Sequence, residues 1–286
     1  MTDRYAVIGN PISHSKSPQI HAMFSKQTGQ DISYEAILAP LDGFAATVER
    51  LRAEGYKGCN VTVPFKFEAC RIVNGVSNEV IDAFDSGENA DAINTLDFRN
   101  NKITGYNTDG VGLVRDITQN LNLKIAGKRV LLMGAGGAAY GVLHPVLNEK
   151  PREMIIANRT LEKARKIEKK IRGTAQFPVT SVSASSYPDL SEKSFDLIIN
   201  ATSSSLTDEM PPLPSGIFAP GALVYDMMYG RETPFMKFAR EHGKHLGVQV
   251  SDGLGMLVEQ AAESFFIWRD VCPDTAPIIA ALRKQQ

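Results

Sequence analysis

The chain has 286 residues, enough for two domains of ordinary size. Its residues are 43% hydrophobic and 22% charged, the balance of a soluble globular protein, and a formal charge of -1 gives no electrostatic case for nucleic acid or an anionic membrane. The start, MTDRYAVIGN, lacks the pattern of a secretory signal, no apolar run is long enough to span a bilayer, and Cys59, Cys70 and Cys272 show no metal-ligand spacing, so the expectation is a cytoplasmic protein with three reduced, buried thiols and no metal.

Strand and helix signals alternate from the first residues. Tyr5 to Gly9 reads as a short apolar strand. Ser17 is placed to cap the next helix, with Pro18 at its first position and Ile20, Met23 and Phe24 on one face. Residues 33–39 and 57–63 read as further strands, and between them Phe44, Val48 and Leu51 keep helical spacing. Residues 92–98 and 102–107 read as a hairpin turning at Asn100 and Asn101. A helix is expected from Asp109, with Val114, Ile117 and Leu121 inward; Asp109 could itself be the cap. Beyond Gly127, strand-like runs lie near 129–133, 153–157, 177–182, 195–200, 222–227 and 246–250. The stretch 201–221 is rich in Ser and Pro and reads as loop. Two helices, 254–271 and 273–285, close the chain, the first with an apolar stripe of Leu254, Leu257, Val258, Ala261, Phe265 and Trp268. Strands separated by helices argue for an α/β protein with mostly parallel sheets.

Val130 to Met133 runs into Gly134-Ala135-Gly136-Gly137-Ala138-Ala139, the G-x-G-x-x-A form of the dinucleotide fingerprint. Gly134 permits the tight turn, Gly136 lets backbone approach a pyrophosphate, and Ala139 permits close helix–strand packing. After the next strand, where NAD enzymes usually carry an acid, stand Asn158-Arg159-Thr160 with Lys163 one turn on. Arg159 and Lys163 would attract a 2′-phosphate, which predicts NADP. Asn200-Ala201-Thr202-Ser203 ends the fourth strand, where such sheets line the cofactor site.

The first 110 residues carry polar groups at strand ends. His14-Ser15-Lys16-Ser17-Pro18 brings two hydroxyls to a helix start, suited to a carboxylate. Asn60-Val-Thr62-Val-Pro64-Phe-Lys66 brings an amide, a hydroxyl and an ammonium together. Ala92-Ile-Asn94-Thr95 and Gly105-Tyr-Asn107-Thr108-Asp109-Gly110 add two amides and a carboxylate. With GAGGAA, NRT, NATSS, YDMMYG and DGLGMLVEQAA, these segments closely resemble, in order and over essentially the whole chain, the shikimate dehydrogenase family.

The resemblance implies a substrate-binding catalytic domain over 1–110, an NADP-binding Rossmann domain over 111–249, and C-terminal helices over 250–286 that return to the substrate domain. It implies reversible reduction of 3-dehydroshikimate to shikimate with NADP. Lys66 and Asp109 would flank the reacting carbon. Ser15 and Ser17 would hold the substrate carboxylate, while Thr62, Asn94 and Gln260 contact ring hydroxyls and Tyr229 lines the substrate cleft. Gly134 to Ala139, Asn158, Arg159, Thr160, Lys163, Thr202, Met227 and Gly253 would surround the cofactor. Three positions depart from many relatives: Tyr140 and Lys163, where a basic residue or arginine is common, and Ser205, where glycine is common. A quinate-accepting relative, a non-catalytic NADP-binding regulator and a folate dehydrogenase with a catalytic lysine are the rival readings. The regulator would be expected to lose Lys66 or Asp109. A monomer or homodimer is expected.

Overall fold

The computed structural model describes residues 2–76, 92–173, 177–202, 204 and 209–285. The chain divides into two compact units, one of Met1–Gly112 with Leu257–Gln285, the other of Leu113–Met256.

The first unit is built on β1 (Asp3–Gly9), β2 (Ile32–Leu38), β3 (Gly58–Val61), β4 (Gly75–Val76), β5 (Thr95–Asp97) and β6 (Thr104–Tyr106), in the order β2-β1-β3-β5-β6-β4. β1 pairs parallel with β2 and β3, whereas β5 runs antiparallel to both β3 and β6. The hairpin is the expected one. Asn100 and Asn101 turn it at φ 58° and 56°, in the left-handed region that asparagine tolerates. Successive residues of β1 face opposite sides of the sheet. Ala6 and Ile8 meet Phe44, Val48, Leu51, Phe65 and Ala69 from the helices Phe44–Ala53 and Lys66–Ile72 and the turn before the latter. On the other face Tyr5 stacks on Trp268, and His21 packs among Phe24, Tyr34, Phe265 and Trp268. The helices Ser17–Thr28 and Leu254–Arg269 therefore cover that face. The indole N–H of Trp268 donates to Leu96 O at 3.1 Å, directly over Gly58. A Cβ on Gly58 would lie 2.5 Å from both the indole nitrogen and that carbonyl, so only glycine admits the helix so close.

The second unit holds β7 (Arg129–Met133), β8 (Glu153–Ala157), β9 (Ser181–Ser185), β10 (Phe195–Asn200), β11 (Phe218–Asp226) and β12 (Gln249–Ser251). All are parallel, in the order β12-β11-β10-β7-β8-β9. This is the doubly wound arrangement of a Rossmann sheet, whose strand order reverses between β7 and β10. β7 is buried on both faces, as a central parallel strand must be. Val130 and Leu132 join one core with the helices Gly137–Asn148 and Leu161–Arg172, while Leu131 and Met133 join another with Phe235 and Ala239.

Several expectations are corrected. Ser17 does not cap its helix; it is the first helical residue, and Ser15 Oγ accepts from its backbone N–H at 3.3 Å. Asp109 is likewise the first helical residue, and Asn107 Oδ1 accepts from its N–H at 3.0 Å. β9 lies at Ser181–Ser185 rather than 177–182, because Val179 is exposed in a loop and Pro178 has no N–H for a ladder. β11 starts at Phe218, inside the expected loop. β12 follows a left-handed Gly247, which breaks the strand expected from residue 246. Cys272 is exposed, while Cys59 and Cys70 are buried.

Candidate active site

Lys66 begins a helix just after β3, and Asp109 begins another just after β6. Both backbones leave the sheet near the same end, and the side chains meet. Lys66 Nζ donates to Asp109 Oδ2 at 2.5 Å, with the side chains 20% and 10% exposed. The other carboxylate oxygen, Oδ1, accepts from Asn94 Nδ2 at 2.9 Å. The orientation of that amide is fixed, because its Oδ1 accepts the Thr108 backbone N–H at 2.8 Å. Its NH2 must then face the carboxylate. Thr108 Oγ1 and Gln260 Oε1 also lie within reach of Asn94 Nδ2, at 2.9 and 3.3 Å. The fold thus brings together Lys66, Asp109, Asn94 and Gln260, drawn from four separate stretches of sequence. Such a half-buried ammonium, held on one side by a carboxylate, can donate a proton to an oxygen on its other side and stabilise charge developing there.

Among the remaining substrate candidates, Ser17 hydrogen-bonds the Tyr34 phenol, which donates to Asn60 Oδ1 at 2.7 Å. Ser15 and Ser17 lie together at the start of the first helix, Ser17 buried and Ser15 half-buried. Thr62 is half-buried after β3; its backbone N–H donates to Ile8 O at 2.9 Å and its methyl lies against Gly9. Tyr229 belongs to the second unit, in the loop after β11, where burial raises its phenol pKa and keeps it a neutral donor. Four polar side chains that hydrogen-bond Asn94 or Gln260 were not singled out from sequence as site residues: Asn60, Thr95, Thr108 and Ser264. The first three sit inside the polar segments already noted. Ser264 carried one available signal, a hydroxyl four residues from Gln260 on an otherwise buried helix face.

In the second unit, Gly134 ends β7 at φ 110°, and a Cβ there would come within 2.9 Å of Ala201 O. Glycine is therefore required where the first and fourth strands of this sheet end side by side. Gly136 precedes the helix Gly137–Asn148, and open space surrounds the position of its missing Cβ. The helix N-terminus thus offers N–H groups beside space for an anion. Ala135 and Ala138 are half-packed against the core, and Ala139 is fully buried. Arg159 is 88% exposed and lies 3.9 Å from the Glu209 carboxylate; Thr160 and Lys163 beside it are also exposed. Asn158 Nδ2 donates to Thr160 O at 2.9 Å and shapes the turn that presents these cations. Asn158-Arg159-Thr160 directly after β8 include no acid, and the residues fit a 2′-phosphorylated nucleotide.

Thr202 donates its hydroxyl to Asn200 Oδ1 at 2.7 Å, and Asn200 Nδ2 donates to the buried Asp226 at 3.3 Å. Asp226 also accepts from the Met228 N–H and the Thr233 hydroxyl, which fixes the loop carrying Met227 and Tyr229. Gly253 packs on that loop so closely that a Cβ would lie 2.3 Å from Met227 O. Tyr140 is half-buried on the helix after the glycine turn. Ser203 and Ser205 lie outside the described residues.

Comparison with known proteins agrees over the full length. The sequence matches the families described as shikimate dehydrogenase substrate binding domain over residues 7–96, shikimate / quinate 5-dehydrogenase over 115–207, and shikimate 5′-dehydrogenase C-terminal domain over 253–283. It is 57% identical over 281 residues to a shikimate dehydrogenase (NADP(+)) of Methylobacillus flagellatus, covering 98% of this chain and 99% of that one. Among solved structures, shikimate dehydrogenase of Aquifex aeolicus aligns with a TM-score of 0.81 at 31% identity, over 99% and 98% of the two chains. Shikimate 5-dehydrogenase of Thermus thermophilus, in complex with NADP(H) and shikimate, aligns with a TM-score of 0.82 at 27% identity over 100% of both.

Proposed function

The chain belongs to the shikimate dehydrogenase family, and from that premise we propose how its residues divide the work. The protein is an oxidoreductase that catalyses the reversible, NADP-dependent reduction of 3-dehydroshikimate to shikimate, on the route to chorismate and the aromatic amino acids. The first unit carries most of the substrate contacts, and the second, which runs to Met256 and so includes Gly253, holds the nucleotide.

Bound NADPH supplies the hydride. The protein must supply the proton, and it must stabilise the charge left on the carbonyl oxygen. Lys66 does both: its ammonium donates to that oxygen during ketone reduction and takes the proton back in the reverse direction. Asp109 holds the ammonium in place, and Asn94 holds Asp109. The observation that supports this most is the 2.5 Å Lys66–Asp109 contact backed by an amide whose orientation is fixed. Ser15 and Ser17, at the start of a helix, accept the carboxylate of the substrate. Thr62, Asn94 and Gln260 contact its ring hydroxyls, and Tyr229 lines the substrate cleft. Gly134, Ala135, Gly136, Gly137, Ala138 and Ala139 receive the pyrophosphate. Arg159 and Lys163, with Asn158 and Thr160, take the 2′-phosphate, and Thr202, Met227 and Gly253 complete the cofactor site. No helix among the described residues is long and apolar enough to cross a membrane. We assign the protein to the cytoplasm, as a monomer or homodimer.

The test is turnover with shikimate or quinate, each paired with NADP or NAD. Reduction of NADP by shikimate, with the other three pairs much slower, is the expected result. Comparable efficiency with quinate and NAD would replace this reading with a relaxed quinate/shikimate enzyme. Nucleotide binding without turnover would point instead to a regulator.

A further inference from the structure

The Lys66–Asp109 pair is the end of a longer buried network. Tyr34 donates its phenol proton to Asn60 Oδ1 at 2.7 Å, which leaves the Asn60 NH2 to donate to Thr95 Oγ1 and Ser264 Oγ, each at 2.9 Å. Thr95 Oγ1 lies 3.1 Å from Asn94 Oδ1 and 2.8 Å from Ser264 Oγ. Thr108 Oγ1 lies 3.2 Å from Ser264 Oγ and 3.3 Å from Gln260 Oε1. Ser264 is fully buried, and its hydroxyl also reaches the carbonyl of Gln260 at 3.0 Å. Counting protons gives one consistent pattern. Ser264 accepts from Asn60 and donates to Thr95 Oγ1 at 2.8 Å, a shorter contact than its 3.0 Å to Gln260 O. Thr95, which accepts from Asn60 and Ser264, donates to Asn94 Oδ1. Asn94 is then held by two donors on its oxygen and gives its NH2 to Asp109. The donations from Tyr34 through Asn60, Thr95 and Asn94 all run toward the carboxylate, the arrangement in which successive hydrogen bonds strengthen one another.

We propose that Ser264 is a positioning residue of the reaction. Its hydroxyl joins Asn60, Thr95 and Thr108 into one network that sets the angle of Asn94 and Gln260, and through Asn94 the carboxylate that holds Lys66. The proposal rests on the assignment of Lys66 and Asp109 as the reacting pair. Ser264 touches neither of them, and its effect passes through Asn94.

The test compares Ser264→Ala, Thr95→Val, the double variant and Val258→Ala by steady-state turnover of shikimate with NADP, alongside thermal unfolding. Val258 is fully buried on the same helix and takes no part in the network, so it reports the effect of loosening the helix alone. Each hydroxyl deletion is expected to lower kcat about 3- to 10-fold, the loss of one net hydrogen bond, while KM for NADP stays unchanged. The double variant is expected to fall within about twofold of the worse single one, because both interrupt one path. Val258→Ala is expected to lower Tm while keeping kcat. Ser264→Ala with wild-type kcat, fully multiplicative losses in the double variant, or an equal kcat loss in Val258→Ala would each overturn the proposal. A wild-type protein that does not turn over shikimate would instead overturn the assignment on which the proposal rests.

Discussion

The substitution Asp109→Asn exchanges one carboxylate oxygen for an NH2 group and removes one charge. Oδ2 accepts from the Lys66 ammonium and Oδ1 from the Asn94 amide, so both oxygens of Asp109 are already acceptors. The substituted side chain would keep a single oxygen for two donors. Asn94 cannot turn over to suit it, because the Thr108 N–H holds its oxygen. The new NH2 must therefore face a donor, either the ammonium or the Asn94 amide. The charge-assisted bond to Lys66 is lost or badly bent. Hydrogen bonds to charged groups contribute about 1.5–3 kcal/mol, and the pair is shielded enough from water for that range to apply. The expected loss in kcat is therefore roughly 10- to 150-fold. Stability should fall as well, because removing one partner of a shielded ion pair leaves the other charge without compensation. Initial rates at saturating shikimate and NADP, with a thermal melt of the same sample, measure both. A kcat within about threefold of wild type would refute the reasoning.

Two further substitutions probe other parts of the molecule. Arg159→Ala removes an exposed cation whose carboxylate partner is distant; KM for NADP should rise about tenfold or more while KM for NAD stays level, and a parallel rise with both nucleotides would remove Arg159 from the 2′-phosphate. His21 is fully buried, and burial lowers its pKa from 6.5 to about 3 against a smaller raising effect of Asn60. The unfolded chain takes up this proton below pH 6.5 and the folded one does not, so His21 leaves stability intact above that pH. It costs about 1.4 kcal/mol per pH unit as pH falls from 6.5 toward 3. His21→Phe should flatten the acid limb of a stability–pH curve measured by denaturant unfolding, and an unchanged slope between pH 6 and 4 would exclude His21 as its source.

Much of this fold can be read from local pattern. The buried strands β7, β8 and β10 each carry an apolar run of three or four residues, as central parallel strands do, and their limits coincide with the expected ones. The paired asparagines at 100 and 101 mark the hairpin because few other residues adopt that backbone. Legibility fails where neighbours rather than local pattern decide. Among the described strands β9 pairs only with β8, and its Ser-Val-Ser-Ala-Ser sequence carries a single buried apolar side chain, while the more apolar residues 177–180 are loop. Ser17 and Asp109 have the composition of caps, but Ser15 and Asn107 satisfy the orphan N–H groups instead.

The active-site segments are legible one by one, as polar residues at strand ends. Their assembly is not. Asn94 to Gln260 spans 166 positions and Asn60 to Ser264 spans 204, distances over which periodicity carries no information. Ser264 shows the limit plainly. On a helical wheel it is a small polar residue in a buried stripe, and only tertiary packing turns it into the junction of three other hydrogen-bonding side chains.

The most direct measurement pairs the turnover of Lys66→Met with its shikimate affinity, the latter by calorimetry on the nucleotide-bound protein. If Lys66 is the proton donor in ketone reduction, kcat should fall by about 10²- to 10⁴-fold, the usual contribution of a positioned acid or base, while the dissociation constant moves only a few-fold. A variant that oxidises shikimate at a near-normal rate would mean the proton travels by another group, and the account would fail at its centre.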